Sequence, residues 1–157
     1  MIDASTTAAG ETRMPKPSPS VERTVAESML RAMHEHEGGT PISDLAAVIH
    51  PRAVMKLLVS FNRVLKGREA VVDALEKGRQ AAIYRGTVER FEWLDEHTAL
   101  TFARARYALE HGGFAEGRIV WLDEIRDGQI WRVRNFRQEA DARRAYETGE
   151  DIASAHA

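Results

Sequence analysis

Hydrophobic residues in the first half of the chain recur at helical spacing. Val21, Val25, Met29 and Met33 are four residues apart, which predicts one apolar helix stripe, and Ser20 precedes them as an N-cap. The pattern predicts three more helices: a short one between Thr40-Pro41 and His50-Pro51, one that follows Gly67, and a last one that begins near Glu139.

From Arg85 onward the pattern changes to alternation of apolar and polar residues, which indicates strands. Gly-containing turns, His111-Gly112-Gly113 and Asp127-Gly128, separate the later ones. Long strands that follow three helices favour an α+β domain. The predicted strands are a short pair, Ala53–Ser60 and Arg63–Lys66, and then Val88–Leu94, Thr98–Leu109, Phe114–Arg126 and Ile130–Gln138.

The hairpin at Asp127-Gly128 allows two registers, which present different side chains to the interior. A three-residue loop pairs Trp121 with Val133, whereas a two-residue type I′ loop pairs Trp121 with Arg134. A shift of one residue moves every side chain to the other face. We favour the three-residue loop because it separates an apolar face from a basic one. The apolar face then holds Ile119, Trp121, Ile125, Trp131 and Val133, and the basic face holds Arg118, Arg132 and Arg134.

Composition limits the domain and its environment. Residues 1–20 lack aromatic side chains and end in alternating prolines, so we predict a disordered N-terminal tail, a domain over 21–147 and a flexible tail over 148–157. The chain has no cysteine and a net charge of −2, and no apolar run is long enough for a membrane helix. We therefore expect a cytoplasmic protein without a membrane or nucleic-acid partner.

Three short motifs lie in a fixed order along the chain: Leu65-Lys66-Gly67-Arg68-Glu69-Ala70-Val71, then the segment from Trp121 to Ile130, then Arg134-Asn135-Phe136-Arg137. With the order of elements, they resemble the nuclear transport factor 2-like superfamily, and within it the SnoaL-like proteins, over residues 21–147. The resemblance implies a cone, in which a strongly curved antiparallel sheet wraps around the N-terminal helices and leaves a pocket on its concave side.

The catalytic positions of the characterised members carry other residues here. Ketosteroid isomerases have a general-base Asp where this chain has Leu57 or Leu58. Epoxide hydrolases have an Arg-x-Asp pair where this chain has Ala103 and Ala105, and an Asp at the position of Asn135. An amide does not accept a proton at neutral pH. The resemblance therefore favours a binding protein over an enzyme.

Small residues of the strand predicted over Thr98–Leu109 face large aromatic side chains across the cone. This contrast favours an apolar ligand pocket, unless helix side chains such as Met33 and Leu75 fill the space. The predicted pocket residues are Trp93, Thr101, Ala103, Ala105, Trp121 and Val133.

Three residues are candidates for chemistry. Asp123 and Asn135 share the inward face in the favoured register, where they could act as general base and hydrogen-bond donor; the alternative is a solvated or Arg-paired Asp123. His50 ends the short helix at the expected mouth, as a proton-transfer group or simply as a helix cap. His34 and His36 are two residues apart, which places them on different sides of a helix, so we predict no metal site.

The sequence thus predicts a homodimeric cone that binds a small, mostly apolar ligand without a cofactor. One alternative is an enzyme of the isomerase, cyclase or hydratase type, which transfers protons on a ketone- or polyketide-like substrate. The other is a non-catalytic dimerisation module. The dimer is expected to form through the outer sheet face, where Val120 and Leu122 lie among charged residues.

Overall fold

The computed structural model describes residues 19–36 and 40–149. The predicted tails and Gly38-Gly39 lie outside these ranges, apart from positions 19, 20 and 148, which are helical, and Gly149, which ends the last helix. A 3₁₀ turn, Leu58–Ser60, lies between the first two strands. The elements are α1 (Pro19–His34), α2 (Ile42–Val48), β1 (Ile49–Lys56), β2 (Val64–Lys66), α3 (Arg68–Ala81), β3 (Tyr84–Trp93), β4 (Thr98–Ala108), β5 (Phe114–Arg126), β6 (Gln129–Phe136) and α4 (Glu139–Thr148).

The strands form one curved, unclosed sheet in the order β2-β1-β6-β5-β4-β3. Helices α1 and α3 pack on its concave side, and the predicted α+β cone is confirmed. The sheet is not wholly antiparallel, because β1 and β6 run parallel to each other. A parallel pair needs a long connection, and here that connection is everything from β2 to β5.

The buried face of α1 differs from the predicted stripe. Val21 and Val25 are 51% and 58% exposed, whereas Ala26, Leu30 and Met33 are buried. Four residues turn an α-helix by about 400°, so a strict four-residue spacing drifts around the helix by about 40° at each step. The packed face instead follows mixed spacings of three and four residues, which leave the first two valines off the buried face.

The β5–β6 hairpin adopts neither predicted register. Asp127 and Gly128 have φ values of 54° and 74°, which form a two-residue type I′ turn. A bulge then shifts the pairing, so that Trp121 lies opposite Asn135. The extra residue of the bulge is Trp131.

This bulge restores the separation of faces on which the favoured register was based. Compared with the favoured register, the turn has one residue fewer and β6 has one bulge residue more. Together these changes shift the strand pairing by two positions. Because side chains alternate between the faces, an even shift leaves the same side chains pointing inward. Trp131 is the exception. Its ring leaves the apolar face and lies against the guanidinium groups of Arg126 and Arg132, at 4.4 and 4.1 Å from the ring centre.

The outer face of the sheet is partly covered by α4 of the same chain. Val120 and Leu122 are 5% and 3% exposed, because Ala142 and Ala145 of α4 pack on them and on Leu100. The apolar residues on which the predicted dimer contact rested are therefore already buried within one chain.

Candidate functional site

A carboxylate and an imidazole meet in the interior between α1 and β5. Asp123 Oδ2 lies 2.9 Å from His34 Nε2, and the hydroxyl of Thr101 donates to the same oxygen at 2.6 Å. The side chains of His34 and Asp123 are 1% and 0% exposed. An ionised carboxylate only accepts hydrogen bonds, so Nε2 carries a proton in that state. The pair has the form of a base oriented by a carboxylate.

The end of α1 is fixed to β3, and this sets the position of His34. The hydroxyl of Tyr84 donates to the backbone carbonyl of His34 at 2.6 Å. Glu35 accepts from the backbone N–H of Val88 at 2.6 Å. Gly86 makes room for the Tyr84 contact, since a Cβ atom there would lie 2.0 Å from the tyrosine hydroxyl.

Four rings form a continuous row beside this pair. His34 stacks on Trp121 with ring centres 4.3 Å apart, Tyr84 meets Trp121 edge-on at 6.5 Å, and His36 stacks on Tyr84 at 5.2 Å. Burial lowers the pKa of the His36 imidazole to about 4, so the ring is neutral near pH 7. The His36 end of the row therefore presents neutral aromatic surface to the interior.

The space next to these rings is small. We call this space the inner cavity. Its volume is about 10 Å³, close to the minimum that one water molecule needs. Most of the other side chains in its lining are apolar. Its lining residues are Met33, His34, His36, Leu57, Leu58, Val59, Leu75, Tyr84 and Trp121.

A much larger space lies at the other end of α1. This α1 recess, of about 610 Å³, separates the first turns of α1 from the inner face of the sheet. Its volume is in the usual range for small-molecule sites, about 300–1,000 Å³. Apolar residues line most of it: Val21, Val25, Ala26 and Met29 from α1, and Trp93 and Ile125 from the sheet. The charged residues in its lining are Glu22, Arg23, Glu96 and Asp127.

Comparison with known proteins supports the fold. No protein-family model and no curated protein matches the sequence. An NTF2-like protein of unknown function from Cytophaga hutchinsonii is similar in structure, with 16% identity over 71% of this chain and 95% of that one, at a TM-score of 0.52. The chain has the nuclear transport factor 2-like fold.

Two further structures with this fold hold or bind steroids. A Mycobacterium tuberculosis protein in complex with estradiol-17β-hemisuccinate is 17% identical over 79% of this chain and 97% of its own, at a TM-score of 0.56. A computationally designed 17-OHP binder is 17% identical over 79% and 96%, at a TM-score of 0.54. At these identities the likeness concerns the fold alone.

Within this NTF2-like fold the predicted pocket residues lie in two places. Thr101, Ala103, Ala105, Trp121 and Val133 are all buried, at 2% exposure or less, in the interior that also holds Met33 and Leu75. Trp93 is different. It lines the α1 recess, where its Nε1 donates to Glu27 at 2.8 Å and Arg23 lies 5.6 Å from its ring centre.

The three residues predicted as catalytic candidates do not contact one another. Asp123 faces inward, but Asn135 donates to the backbone of Lys56 and to the side chain of Asn62 rather than to Asp123. His50 lies at the start of β1, where its Nε2 is 3.3 Å from Asp127 in the exposed hairpin turn. The residue that contacts Asp123 is His34, at the end of α1.

Sequence reasoning missed His34 as the partner of Asp123. The spacing of His34 and His36 bears on metal binding but does not indicate which carboxylate His34 contacts. A usable signal was present, since His34 follows Leu30 by four residues and Ala26 by eight, on the buried face of α1. Within residues 19–36 and 40–149, no group of three His, Asp or Glu side chains could hold a metal ion, and no helix is long and apolar enough to cross a membrane.

Proposed function

We propose that this protein binds a small, mostly apolar molecule in the α1 recess, on the concave side of the cone. The observation that carries this proposal is the recess itself, which has the volume of a ligand site and a mostly apolar lining. Val21 and Val25 would otherwise expose apolar surface to water at the start of α1.

The inner face of the sheet supplies the aromatic wall of this site. Trp93 is held by its hydrogen bond to Glu27, so its ring is oriented before a ligand arrives. Steroid complexes of other NTF2-like proteins support polycyclic, sparingly polar ligands as the first class to test. The catalytic carboxylates of the isomerases and epoxide hydrolases are not needed for such binding.

Titration with a steroid panel tests the proposal. We expect binding of estradiol hemisuccinate or a related steroid with a Kd below about 100 μM, measured by tryptophan fluorescence and calorimetry. Trp93→Leu should weaken binding about ten-fold or more, because it removes the aromatic wall. Trp131→Leu is the matched control, since Trp131 lies at the bulge and does not line the recess.

Two results would contradict the proposal. One is the absence of binding across the whole panel by a folded protein. The other is equal weakening by Trp93→Leu and Trp131→Leu, which would place the ligand elsewhere.

The pair formed by His34 and Asp123 favours a second candidate, a proton-transfer enzyme of the isomerase, cyclase or hydratase type. A buried imidazole oriented by a carboxylate is a suitable general base for a ketone- or polyketide-like substrate. This candidate requires the substrate to reach the inner cavity, whose volume of about 10 Å³ admits only the smallest groups.

A pH–rate profile over ketones and epoxides tests the second candidate. Asp123→Asn should abolish any activity found, whereas His50→Ala and Asn135→Ala should not, if the His34 pair is the base. The predicted catalytic roles of Asn135 and His50 would be supported by the reverse result. Activity that survives Asp123→Asn would exclude this carboxylate.

Homodimerisation stays a prediction. With Val120 and Leu122 under α4, a contact through the outer face would have to use the strip beyond the helix, where Glu89 lies 3.9 Å from both Arg104 and Arg118. Sedimentation at low and high salt tests this, because a contact made of exposed charges weakens as salt rises.

A further inference from the structure

The outer face of the sheet carries a cluster of arginines beyond the cover of α4. Side chains alternate along a strand, so the residues next to the buried Tyr84, Ala105 and Ile119 point outward. We call this outward group the arginine strip. Its members are Arg85, Thr87 and Glu89 of β3, Arg104 and Arg106 of β4, and Glu116 and Arg118 of β5, and all of them are exposed.

The arginine strip is positively charged, although the chain as a whole is negative. The strip has four arginines and two glutamates, whereas the net charge of the chain is −2. Positive charge is therefore concentrated at one place on the surface. A segregated charge of this kind attracts partners of the opposite sign.

The arginines form two pairs that lie directly opposite each other on neighbouring strands. Arg104 is opposite Arg118, and Arg85 is opposite Arg106. Like charges in directly opposite positions destabilise a sheet. In the first pair, Glu89 lies 3.9 Å from both guanidinium groups and offsets their repulsion. In the second pair, neither arginine forms an ion pair with any residue of 19–36 or 40–149. The second pair thus lacks the carboxylate that the first pair has.

Glu116 does not supply this carboxylate, although it is the β5 partner of Arg106. The guanidinium group of Arg106 lies instead 3.8 Å from the ring centre of Phe114. Stacking on an aromatic ring fixes the plane of a guanidinium group and leaves the N–H groups at its edge available. Arg106 is therefore oriented for a planar acceptor before any partner arrives.

We propose that the arginine strip docks an extended acidic segment of another protein, with one of its carboxylates between Arg85 and Arg106. A carboxylate matches a guanidinium group through two parallel hydrogen bonds. Side chains two residues apart in an extended chain are about 7 Å apart, and Arg104 and Arg106 have this spacing along β4. A segment in which Asp or Glu alternates with other residues therefore matches the strip.

Two other occupants fit the strip less well. A second copy of this chain would bring a second excess of positive charge to the contact. A nucleic acid presents a continuous line of phosphates, which Glu89 and Glu116 would repel. The inference is independent of the proposed function, because the strip and the α1 recess lie on opposite faces of the sheet.

Fluorescence anisotropy with labelled peptides tests the inference. The probe is a peptide of alternating Glu and Ser, and the comparison peptide has Lys in place of Glu. We expect the Glu peptide to bind with a Kd below about 100 μM at low salt, and about five-fold or more weakly at 0.2 M salt. The Lys peptide should not bind. The absence of Glu-peptide binding to the folded protein at low salt would overturn the inference.

Variants locate the binding on the strip. Arg85→Gln and Arg106→Gln should each weaken binding about five-fold or more, because each removes a guanidinium group from the proposed carboxylate site. Glu89→Gln should strengthen binding about two-fold or more, because it removes a carboxylate that competes with the probe. Arg144→Gln, on the exposed side of α4, is the matched control with the same change of charge and should leave binding unchanged.

Urea unfolding without any partner tests the repulsion on which the inference depends. If the opposed arginines repel each other, Arg85→Gln should raise the unfolding midpoint at low salt, and high salt should remove this gain. The same measurement shows that the variant folds. A lower midpoint would mean that Arg85 makes a stabilising contact within the chain, and it would overturn the inference.

Three further results would overturn it. Equal weakening by Arg85→Gln and Arg144→Gln would assign the attraction to the charge of the whole protein. Tighter binding of oligothymidine than of the Glu peptide, lost in Arg106→Gln, would assign the strip to a nucleic acid. A dimer in sedimentation that Arg106→Gln dissociates would assign it to a second copy of the chain.

Discussion

Asp123 and Glu124 are neighbours in β5, yet the two faces of the sheet place them in different environments. Asp123 points inward, is fully buried and accepts hydrogen bonds from His34 and Thr101. Glu124 points outward and is partly buried, and burial raises the pKa of its carboxyl group against the opposing effect of Arg132 and Arg134. The inner face thus holds polar groups in specific pairs, whereas the outer face relies on apolar cover by α4 and on partly solvated charges.

The largest expected effect comes from breaking the inner pair. Asp123→Ala leaves the buried His34 Nε2 and the Thr101 hydroxyl without their partner, so we expect a loss of about 3–5 kcal/mol in the free energy of unfolding. Glu124→Ala is the matched control and should cost less than about 1 kcal/mol. Urea unfolding measures both. Similar losses for the two variants would contradict the contrast between the faces.

The apolar cover of the outer face gives the next effect. Leu122 is 3% exposed beneath α4, and Leu122→Ala should destabilise the protein by about 2–5 kcal/mol through lost burial and a cavity. Leu94, directly after β3, packs against the same cluster but is only partly buried, and Leu94→Ala should cost clearly less. A loss below about 1 kcal/mol for Leu122→Ala would mean that α4 does not cover the sheet in solution.

We expect the protein to lose stability in acid because of His36, which is buried in the interior. The usual pKa of histidine is 6.5, and burial lowers that of His36 to about 4. Between these pH values the unfolded chain binds a proton that the folded chain does not, so the stability falls as the pH falls through this window, by up to about 3 kcal/mol. Unfolding of the wild type at pH 7 and pH 4 measures the loss.

His36→Phe should remove most of this pH dependence, whereas His111→Phe should leave it unchanged. An unaltered slope of stability against pH in His36→Phe would show that other groups cause the acid sensitivity.

The smallest effect is expected for the ion pairs of the outer face. Arg143 lies 2.8 Å from Glu92 and 2.7 Å from Glu139, and both carboxylates raise the pKa of its guanidinium group. All three side chains are more than a third exposed, so Arg143→Ala should cost only about 0.2–1 kcal/mol, and less at high salt. A loss as large as that of Asp123→Ala would remove the distinction between the two faces.

Much of the fold could be predicted from local patterns. The predicted strand over Phe114–Arg126 has the same bounds in the structure, and helices start after Gly67 and near Glu139 as expected. Alternation along β4 correctly identified its inward residues, because the two-residue period of a strand is a local property. The pairing of β1 with β6 is not local, and no spacing in the sequence indicates it.

What the sequence by itself determined is the set of elements and, apart from Trp131, the inward face of the long strands. Tertiary structure alone decided that His34 is the partner of Asp123, that a bulge at Trp131 sets the hairpin register, and that α4 covers Val120 and Leu122. The physical reason is the distance along the chain over which each kind of information acts. Periodicity reports which side of an element is buried, whereas the contacts of that side depend on how distant segments pack, and 89 residues separate His34 from Asp123.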